Sequence, residues 1–459
     1  MKRIIYADNA ATTRIDPAVL EAMEPFTKEE YANASQPYSF SRKAKAAIKN
    51  AREEIANCIN AKPSEIFFTS GGTESDNWAI KGCAFADESK RATITSTIEH
   101  HAILRSCQFI ERLGYPVAYI NPNSNGVITV EALDQVIAGT TNLVSIATAN
   151  NEIGTIQPIK KLAEIAHRNG AFFHTDAVQA IGHIPVDVNE LNVDLLSASA
   201  HKFNGPKGIG FLYVRDGTPI LPLLNGGAQE YSHRAGTENV ASIVGMATAL
   251  SMNCSQMQNS QQQSSEMAEL ICSILNAAEV DYIHNGYIDG LKGILNLSFR
   301  GKDGEAILHR LDLRGILVST GSACDSSSTQ VSHVIRAINV PDSYAKGTIR
   351  IPCDEGVIDD MDIKAKLRPF YVAKMLYEQT DEDHYLTIAQ IMEQLEKDHG
   401  ISTSRGTVGD DIKALQELGV EIEVVPSTQK RFSLIGRRFD LPELKTLIDA
   451  VESARFIPK

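Results

Sequence analysis

The sequence predicts an α/β fold with a mostly parallel central sheet, in a chain of two or three domains. Three observations lead there. Between Ile66 and Val214 short apolar runs alternate with amphipathic helical patterns, as they do when a parallel sheet is covered by helices on both faces. The 459 residues exceed what a single hydrophobic core usually sustains. From Met361 onward a different kind of sequence begins.

Bulk properties exclude several classes. Hydrophobic residues at 43% and charged residues at 22% are ordinary for a globular protein. A net charge of −13 argues against a chain that binds nucleic acid or membrane surfaces over its whole length. No apolar run is long enough to span a bilayer, and the start, Met1-Lys-Arg-Ile-Ile-Tyr, lacks the apolar core of a signal peptide. Seven cysteines (58, 83, 107, 254, 272, 324, 353) are scattered without a CxxC pair, so neither a disulfide framework nor a zinc site is expected. A reducing cytoplasm fits this usage.

Taken in order, residues 4–13 form a short run that breaks into small polar residues. Asp16-Pro17 then opens a helix with Val19, Leu20, Met23 and Phe26 on one face. Asn33–Tyr38 reads as a loop, and an alanine-rich helix continues through Ile59. Strands are expected at Ile66–Thr69, Ala92–Ser96, Leu143–Ala149, Ala171–His174, Leu195–Ser197 and Ile209–Val214. Residues 252–265, rich in Ser, Gln and Asn, read as a polar helix or linker.

In a parallel α/β sheet ligands bind beyond the carboxyl ends of the strands, so the strand exits are where chemistry is sought. Thr69-Ser-Gly-Gly-Thr-Glu-Ser75 leads into a helix, where Thr73 and Ser75 would offer amides and hydroxyls to a phosphate. The next exit holds Glu99-His-His101, and an imidazole there stacks on a ring or moves protons. Asn151 follows the third strand and is placed to bond a ligand hydroxyl or to shape a turn. Asp176 follows the fourth, as a helix cap or as the partner of a pyridinium nitrogen. Lys202 follows the fifth, with Ser199 and His201 just ahead of it. Desolvation at a strand end makes its amine nucleophilic, the property that lets an enzyme hold pyridoxal phosphate (PLP) as a Schiff base.

Eight stretches carry a resemblance. Tyr6-Ala-Asp-Asn-Ala-Ala-Thr-Thr13, Thr69-Ser-Gly-Gly-Thr-Glu-Ser75, Glu99-His100, Asn150-Asn-Glu-Ile-Gly154, Asp176-Ala-Val-Gln179, His201-Lys202, Arg234-Ala-Gly-Thr-Glu-Asn239 and Gly321-Ser-Ala-Cys324 are similar to motifs of the NifS/IscS-type cysteine desulfurases. The resemblance covers roughly Ile4 to Ile351. It implies the fold type I aminotransferase architecture, with a large PLP-binding domain at 15–249 and a smaller α+β domain from 1–14 and 250–360. It implies PLP on Lys202, His100 stacked on the ring, Asp176 on the ring nitrogen, and Asn151 and Gln179 near the ring hydroxyl. Gly72, Thr73, Ser199 and His201 would hold the phosphate, with Thr237 reaching across from the second subunit of a homodimer. Arg350, helped by Asn33, would grip the carboxylate of L-cysteine.

Cys324 sits in a glycine- and serine-rich run, Ser319–Ser328, which reads as an exposed mobile loop. An exposed thiol that becomes a thiolate is a nucleophile. By resemblance, Lys202 moves the substrate's α proton, and Cys324 takes the sulfur as a persulfide and leaves alanine. The acceptor would be an iron–sulfur scaffold or a tRNA-thiolating enzyme. Three departures stand out. Ala34 and Tyr38 replace a usual proline and histidine, Tyr231-Ser232 replace an arginine-glycine pair, and the family text ends after Arg350.

The C-terminal stretch has amphipathic helical patterns at Asp362–Tyr377, Tyr385–Lys397 and Thr403–Leu418, then strand patterns at Glu421–Val425 and Lys430–Leu434. Three helices and a two-stranded wing define a winged helix-turn-helix over 361–459. With its trailing helix at Phe439–Val451, it resembles the N-terminal domain of WYL-type transcriptional regulators. DNA contacts would run through Arg405, Thr407, Lys430 and Arg431. From Met361 on there are 14 Lys/Arg against 17 Asp/Glu, and acids occupy 410 and 411 of the recognition helix, so a protein-docking role stands beside DNA binding. A fusion that trimmed the desulfurase's last helix would let Asp359–Tyr377 take its place. The leading expectation is an active cysteine desulfurase. The competing one is a regulator in which a PLP domain senses cysteine and the winged helix binds DNA.

Overall fold

A computed structural model of the chain describes residues 4–87, 89–287, 289–321, 331–353, 363–380, 384–399, 401–417, 420–425 and 431–434. The described residues divide into two compact units, one drawn from 1–268 with 282–354 and one from 269–281 with 355–459.

The first unit is built on a seven-stranded sheet in the spatial order 66–69, 210–214, 195–199, 172–176, 141–145, 92–96, 117–120. Only Gly210–Val214 runs antiparallel to its neighbours, Ile66–Thr69 and Leu195–Ser199. The inner strands are buried on both faces, which is why they read as continuous apolar runs rather than alternating ones. Ile66–Thr69 and Ala92–Ser96 form as expected. The run at Leu143 forms Thr141–Ser145, and those at Ala171, Leu195 and Ile209 form Phe172–Asp176, Leu195–Ser199 and Gly210–Val214. Val117–Ile120, unanticipated, is a half-exposed edge strand whose apolar signal is correspondingly weak.

Helices on both faces follow from local signals. Asp16 caps Pro17–Lys28 by accepting from the Ala18 amide at 2.7 Å, with Pro17 at the first helical position. The polar stretch at 252–265 lies inside one helix, Val240–Ala277, which contains no proline and only Gly245 as a breaker. A second, antiparallel sheet orders Thr348–Pro352, Ile294–Phe299 and Tyr282–His284, and Ile5–Tyr6 pairs in parallel with Ile316–Leu317.

In the second unit, helices Ile363–Gln379, Ile388–His399 and Arg405–Glu417 pack with an antiparallel sheet in the order 386–387, 431–434, 422–425. Val372, Leu376, Ile391, Leu395, Val408 and Ile412 form its core. The strand Leu386–Thr387 was not anticipated; the expected helix from Tyr385 starts only at Ile388. The trailing pattern at 439–451 lies outside the described residues. No helix among the described residues is long and apolar enough to cross a membrane.

Candidate active site

A cavity of about 470 Å³ opens where strands of the seven-stranded sheet end, and Arg350 from the second sheet reaches its wall. Ten of the residues singled out from sequence line it. Lys202 leaves strand Leu195–Ser199 in a single tight turn. Its ammonium donates to the carbonyls of Ala10 (2.5 Å) and Ala11 (2.9 Å). The N-terminal segment is thus a wall of the site. Gln179 donates to the same Ala10 carbonyl (3.0 Å), and the His201 carbonyl accepts from the Thr13 amide (2.8 Å).

One end of the cavity is built for an anion. Gly71 adopts φ 145°, ψ −178°, a conformation only glycine holds comfortably, and it lets helix Gly72–Ala86 point its N-terminus into the cavity. A Cβ on Gly72 would stand 2.7 Å from Val178 Cγ2, so the approach is close. Thr73, Ser199, His201 and Lys207 surround this end. Burial, then the charges of Lys202 and Lys207, push the His201 imidazole down to about 4, so it is neutral at pH 7. Glu74 would repel an anion, but its carboxylate is held by Arg234 at 2.8 and 3.1 Å. Ser75 corrects the sequence reading. Its hydroxyl points into the core, bonded to Thr69 Oγ1 (2.8 Å) and the Phe211 carbonyl (3.1 Å), because the helix turns it away from the cavity.

The other end gathers carboxyl groups. Asp176 closes strand Phe172–Asp176 and accepts from the Val178 amide (2.9 Å). His100 caps helix His101–Arg112, its Nδ1 accepting from the Ala102 amide (3.2 Å), which pins the ring with its proton on Nε2. Burial lowers the His100 pKa, against the opposing pull of Asp176. Asp76 escaped the sequence reading as a site residue, yet ligand atoms of Asp76, His100 and Asp176 lie within 4.8 Å of one another. Burial, then the Asp176 charge, hold the Asp76 carboxyl well above the usual range.

Behind it, His174 bonds the hydroxyls of Ser145 (2.9 Å) and Ser197 (3.0 Å) and lies 3.9 Å from Asp76. Burial pushes His174 down to about 3, so its imidazole is neutral and the contact is not an ion pair. Burial also pushes the neighbouring Glu99 up to about 8, while it accepts from Ser96 Oγ and the Ala147 amide. Burial raises the Asp176 pKa too, but it alone of the three carboxyls has the charges of His100 and Lys202 opposing the rise. Of the three, Asp176 is the carboxyl whose charge the surroundings favour.

Arg350 is 1% exposed, and its guanidinium is held by Asp8 (2.7 Å) and by the Asn151 carbonyl (2.9 Å). That fixes a planar, two-pronged donor at the cavity wall. Asp8 gave no signal of its own beyond its place in the N-terminal motif.

Not every expected residue gathers here. Asn33 is absent from the cavity lining, because its side chain closes a local turn onto the Ser35 amide (2.9 Å). Thr237 lines a smaller cavity of about 150 Å³ that shares Ser70 and Gly208 with the larger one. Cys324 and Lys430 lie outside the described residues. Arg405 is exposed at the start of its helix, and Arg431 is exposed on its strand. Thr407 is taken up locally, its hydroxyl and amide both bonded to Ser404 Oγ (2.7 and 3.2 Å). Asp411 corrects a second reading. It is fully buried and paired twice with Arg368 (2.5 and 3.1 Å), so it adds no charge to the surface of helix Arg405–Glu417. The substituted pair Tyr231-Ser232 adopts left-handed φ of 57° and 69°. The turn is tied down next door by Glu230, which accepts from Arg52 twice at 2.7 Å.

The aminotransferase class-V family matches residues 5–351. Cysteine desulfurase IscS of Dictyoglomus turgidum is 50% identical over 352 residues, which are 76% of this chain and 89% of that protein. Cysteine desulfurase IscS of Methanosarcina thermophila is 44% identical, over 81% of this chain and 93% of its own length. Among solved structures, a NifS-like protein superposes with a TM-score of 0.73 at 37% identity, covering 78% of this chain and 97% of that one. The chain belongs to the class V aminotransferases and, within them, to the cysteine desulfurases.

Proposed function

We propose that this chain is a PLP-dependent cysteine desulfurase that converts L-cysteine to L-alanine and carries the sulfur away as a persulfide on Cys324. The observation that carries the reading is the meeting of Lys202, His100, Asp176 and Arg350 at one cavity. A solved relative described as SspA in complex with cysteine, 38% identical with a TM-score of 0.69, supports the substrate.

The residues present fit PLP. The glycine-built helix N-terminus with Gly72, Thr73, Ser199 and His201 would hold its phosphate, joined by Thr237 of a second subunit. Asp176 would face the ring nitrogen, His100 the ring, and Asn151 and Gln179 its hydroxyl. When bound, PLP supplies an electron sink for the amino acid's α carbon. Lys202 would anchor the cofactor and would move the α proton. Arg350 orients the substrate through its carboxylate, and its hold on Asp8 and the Asn151 carbonyl leaves the guanidinium little freedom to turn. The thiolate of Cys324 takes the sulfur. A homodimeric, cytoplasmic enzyme with a large domain at 15–249 and a small one at 1–14 and 250–360 fits this chemistry, with an iron–sulfur scaffold or a tRNA-thiolating enzyme as acceptor.

For residues 361–459 we infer a winged helix-turn-helix, on the grounds of three helices packed with a three-stranded antiparallel sheet. One observation keeps DNA as a second reading for this unit. With Asp411 turned inward, the surface near the helix start presents Arg405 and not a pair of acids. Fluorescence anisotropy with duplex DNA across a salt series tests it. No binding at low salt leaves protein docking; binding that Arg405→Ala and Arg431→Ala do not weaken places DNA elsewhere. For the desulfurase reading, alanine release from L-cysteine is measured in wild type and in Lys202→Ala, and a wild-type protein that takes up PLP but releases no alanine defeats it.

A further inference from the structure

The turn Asn150–Gly154 brings Asn151 to the cavity wall, and the second sheet grips that turn by its carbonyls. Arg350 Nη1 donates to the Asn151 carbonyl (2.9 Å), and Asn296 Nδ2 donates to the next one, that of Glu152 (2.9 Å). The two donors stand directly opposite each other across the antiparallel pair Ile294–Phe299 and Thr348–Pro352. Residues so placed carry their side chains on one face, about 5 Å apart, which suits them to two successive carbonyls. Asn296 is fully buried and does not line the Lys202 cavity. We infer that Asn296 is a positioning residue: with Arg350 it clamps the Asn151 turn, and so fixes the guanidinium that receives the substrate carboxylate relative to Asn151. The clamp stands on the hydrogen bonds alone, and its consequence for substrate rests on the desulfurase reading.

The chemistry of the donors leaves one arrangement. The Glu152 carbonyl can only accept, so Asn296 turns its NH₂ towards it and its oxygen towards Asn285. Asn285 Nδ2 donates to that oxygen (2.8 Å) and to Ser298 Oγ (2.6 Å). Ser298 passes its own proton to Thr348 Oγ1 (2.6 Å), because the Thr348 hydroxyl is spent on the Ala345 carbonyl (2.8 Å). The amide of Asn296 is therefore held from behind while it holds the turn. Within the turn, Asn150 Oδ1 accepts from the Glu152 and Ile153 amides (2.9 and 3.0 Å), and the Leu291 amide takes the Gly154 carbonyl (2.8 Å). Loss of Asn296 leaves the Glu152 carbonyl short of its donor. The turn then gains freedom, and with it the Asn151 carbonyl that steadies Arg350.

Two measurements on the full chain test this. The first is hydrogen exchange of protein freed of PLP, which does not depend on the desulfurase reading. In Asn296→Ala the amides of 152–154 should exchange about fivefold faster, with helix His101–Arg112 unchanged. The second titrates PLP-loaded protein with L-alanine, which presents a carboxylate, and with ethylamine, which does not, following the visible absorbance. Asn296→Ala should weaken L-alanine by at least about tenfold and ethylamine by less than about twofold. Unchanged exchange at 152–154 overturns the clamp. Unchanged L-alanine binding, or equal losses for both amines, overturns the positioning of Arg350. If Asn296→Ala fails to fold, Asn285→Ala, which removes the group that orients the Asn296 amide, is held to the same pattern in both assays. A wild type that takes up no PLP, or does not respond to L-alanine, defeats the desulfurase reading and with it the substrate consequence, and exchange alone then decides the clamp.

Discussion

Both units bury charged side chains, but they do so to different ends. In the second unit, Arg368 and Asp411 are both buried and meet in a closed, doubly bonded pair that spends their charges on each other. In the first, Asp176, Asp76 and Arg350 are also buried, with the half-buried Lys202 beside them, but they open onto shared space. Burial costs both sets desolvation energy. The closed pair recovers it within the protein, whereas the open set has donors and acceptors aimed at a cavity, and such groups are kept for a ligand. A buried charge is thus a sign of function only when its partners leave space for something else.

The largest effect expected from this contrast is on activity. Lys202→Ala should lower alanine release by at least about 10²-fold, the scale of losing a positioned proton-transfer group. Circular dichroism should show the fold retained. The closed pair should answer in stability instead. Arg368→Ala leaves Asp411 buried and unpaired, and should destabilise the second unit by roughly 3–5 kcal/mol in denaturant unfolding of the full chain. A loss well under 1 kcal/mol there would mean that the pair is open to water.

Within the cavity the two aspartates should separate. Asp176→Asn removes the charge that the site concentrates, and turnover should fall on the order of 10²-fold. Asp76→Asn replaces a carboxyl whose pKa burial and the Asp176 charge already raise, and the loss should stay below about tenfold. Equal losses would show that the charge is shared between them.

The candidate site was legible to the extent that it follows strand exits. Lys202, Asp176, His100 and Gly72 each stand just beyond an apolar run, so period and punctuation found them. Asp8, Asp76 and the Ala10 and Ala11 carbonyls were not legible for the opposite reason. Asp8 and these carbonyls come from the N-terminal segment, Asp76 lies a turn inside the helix that Gly72 opens, and a backbone carbonyl has no letter in the sequence. Ser75 and Asp411 were misread because one residue's rotation about a helix decides whether a side chain faces the cavity or solvent, or the core, a difference finer than motif spacing. Asn33 was placed by resemblance, and the local turn onto Ser35 holds it. The strand at Leu386–Thr387 is too short to carry a period.

The smallest expected effect is in the pH dependence of stability of the cofactor-free protein. His174 and His201 stay neutral when folded down to about 3 and about 4, while unfolded histidines protonate near ~6.5. Their contribution is present above that value and is lost as pH falls towards 4 and then 3. Glu99 works the other way. Protonated in the fold up to about 8, it contributes most below the unfolded value of 4.5 and loses that contribution as pH rises through 8. Between these limits the two histidines outweigh the single glutamate. From these groups, the denaturation midpoint should be highest near pH ~6.5 and fall on both sides.

The central claim is that the open, charged cavity holds PLP and works together with Cys324. The most direct test follows alanine and sulfide release from L-cysteine with a reductant, in wild type and in Cys324→Ala, while recording the visible absorbance of the protein. The account predicts a yellow wild type that releases both products, and an equally yellow Cys324→Ala that releases neither. A protein that cannot be loaded with PLP, or a Cys324→Ala variant that turns over like wild type, would contradict it.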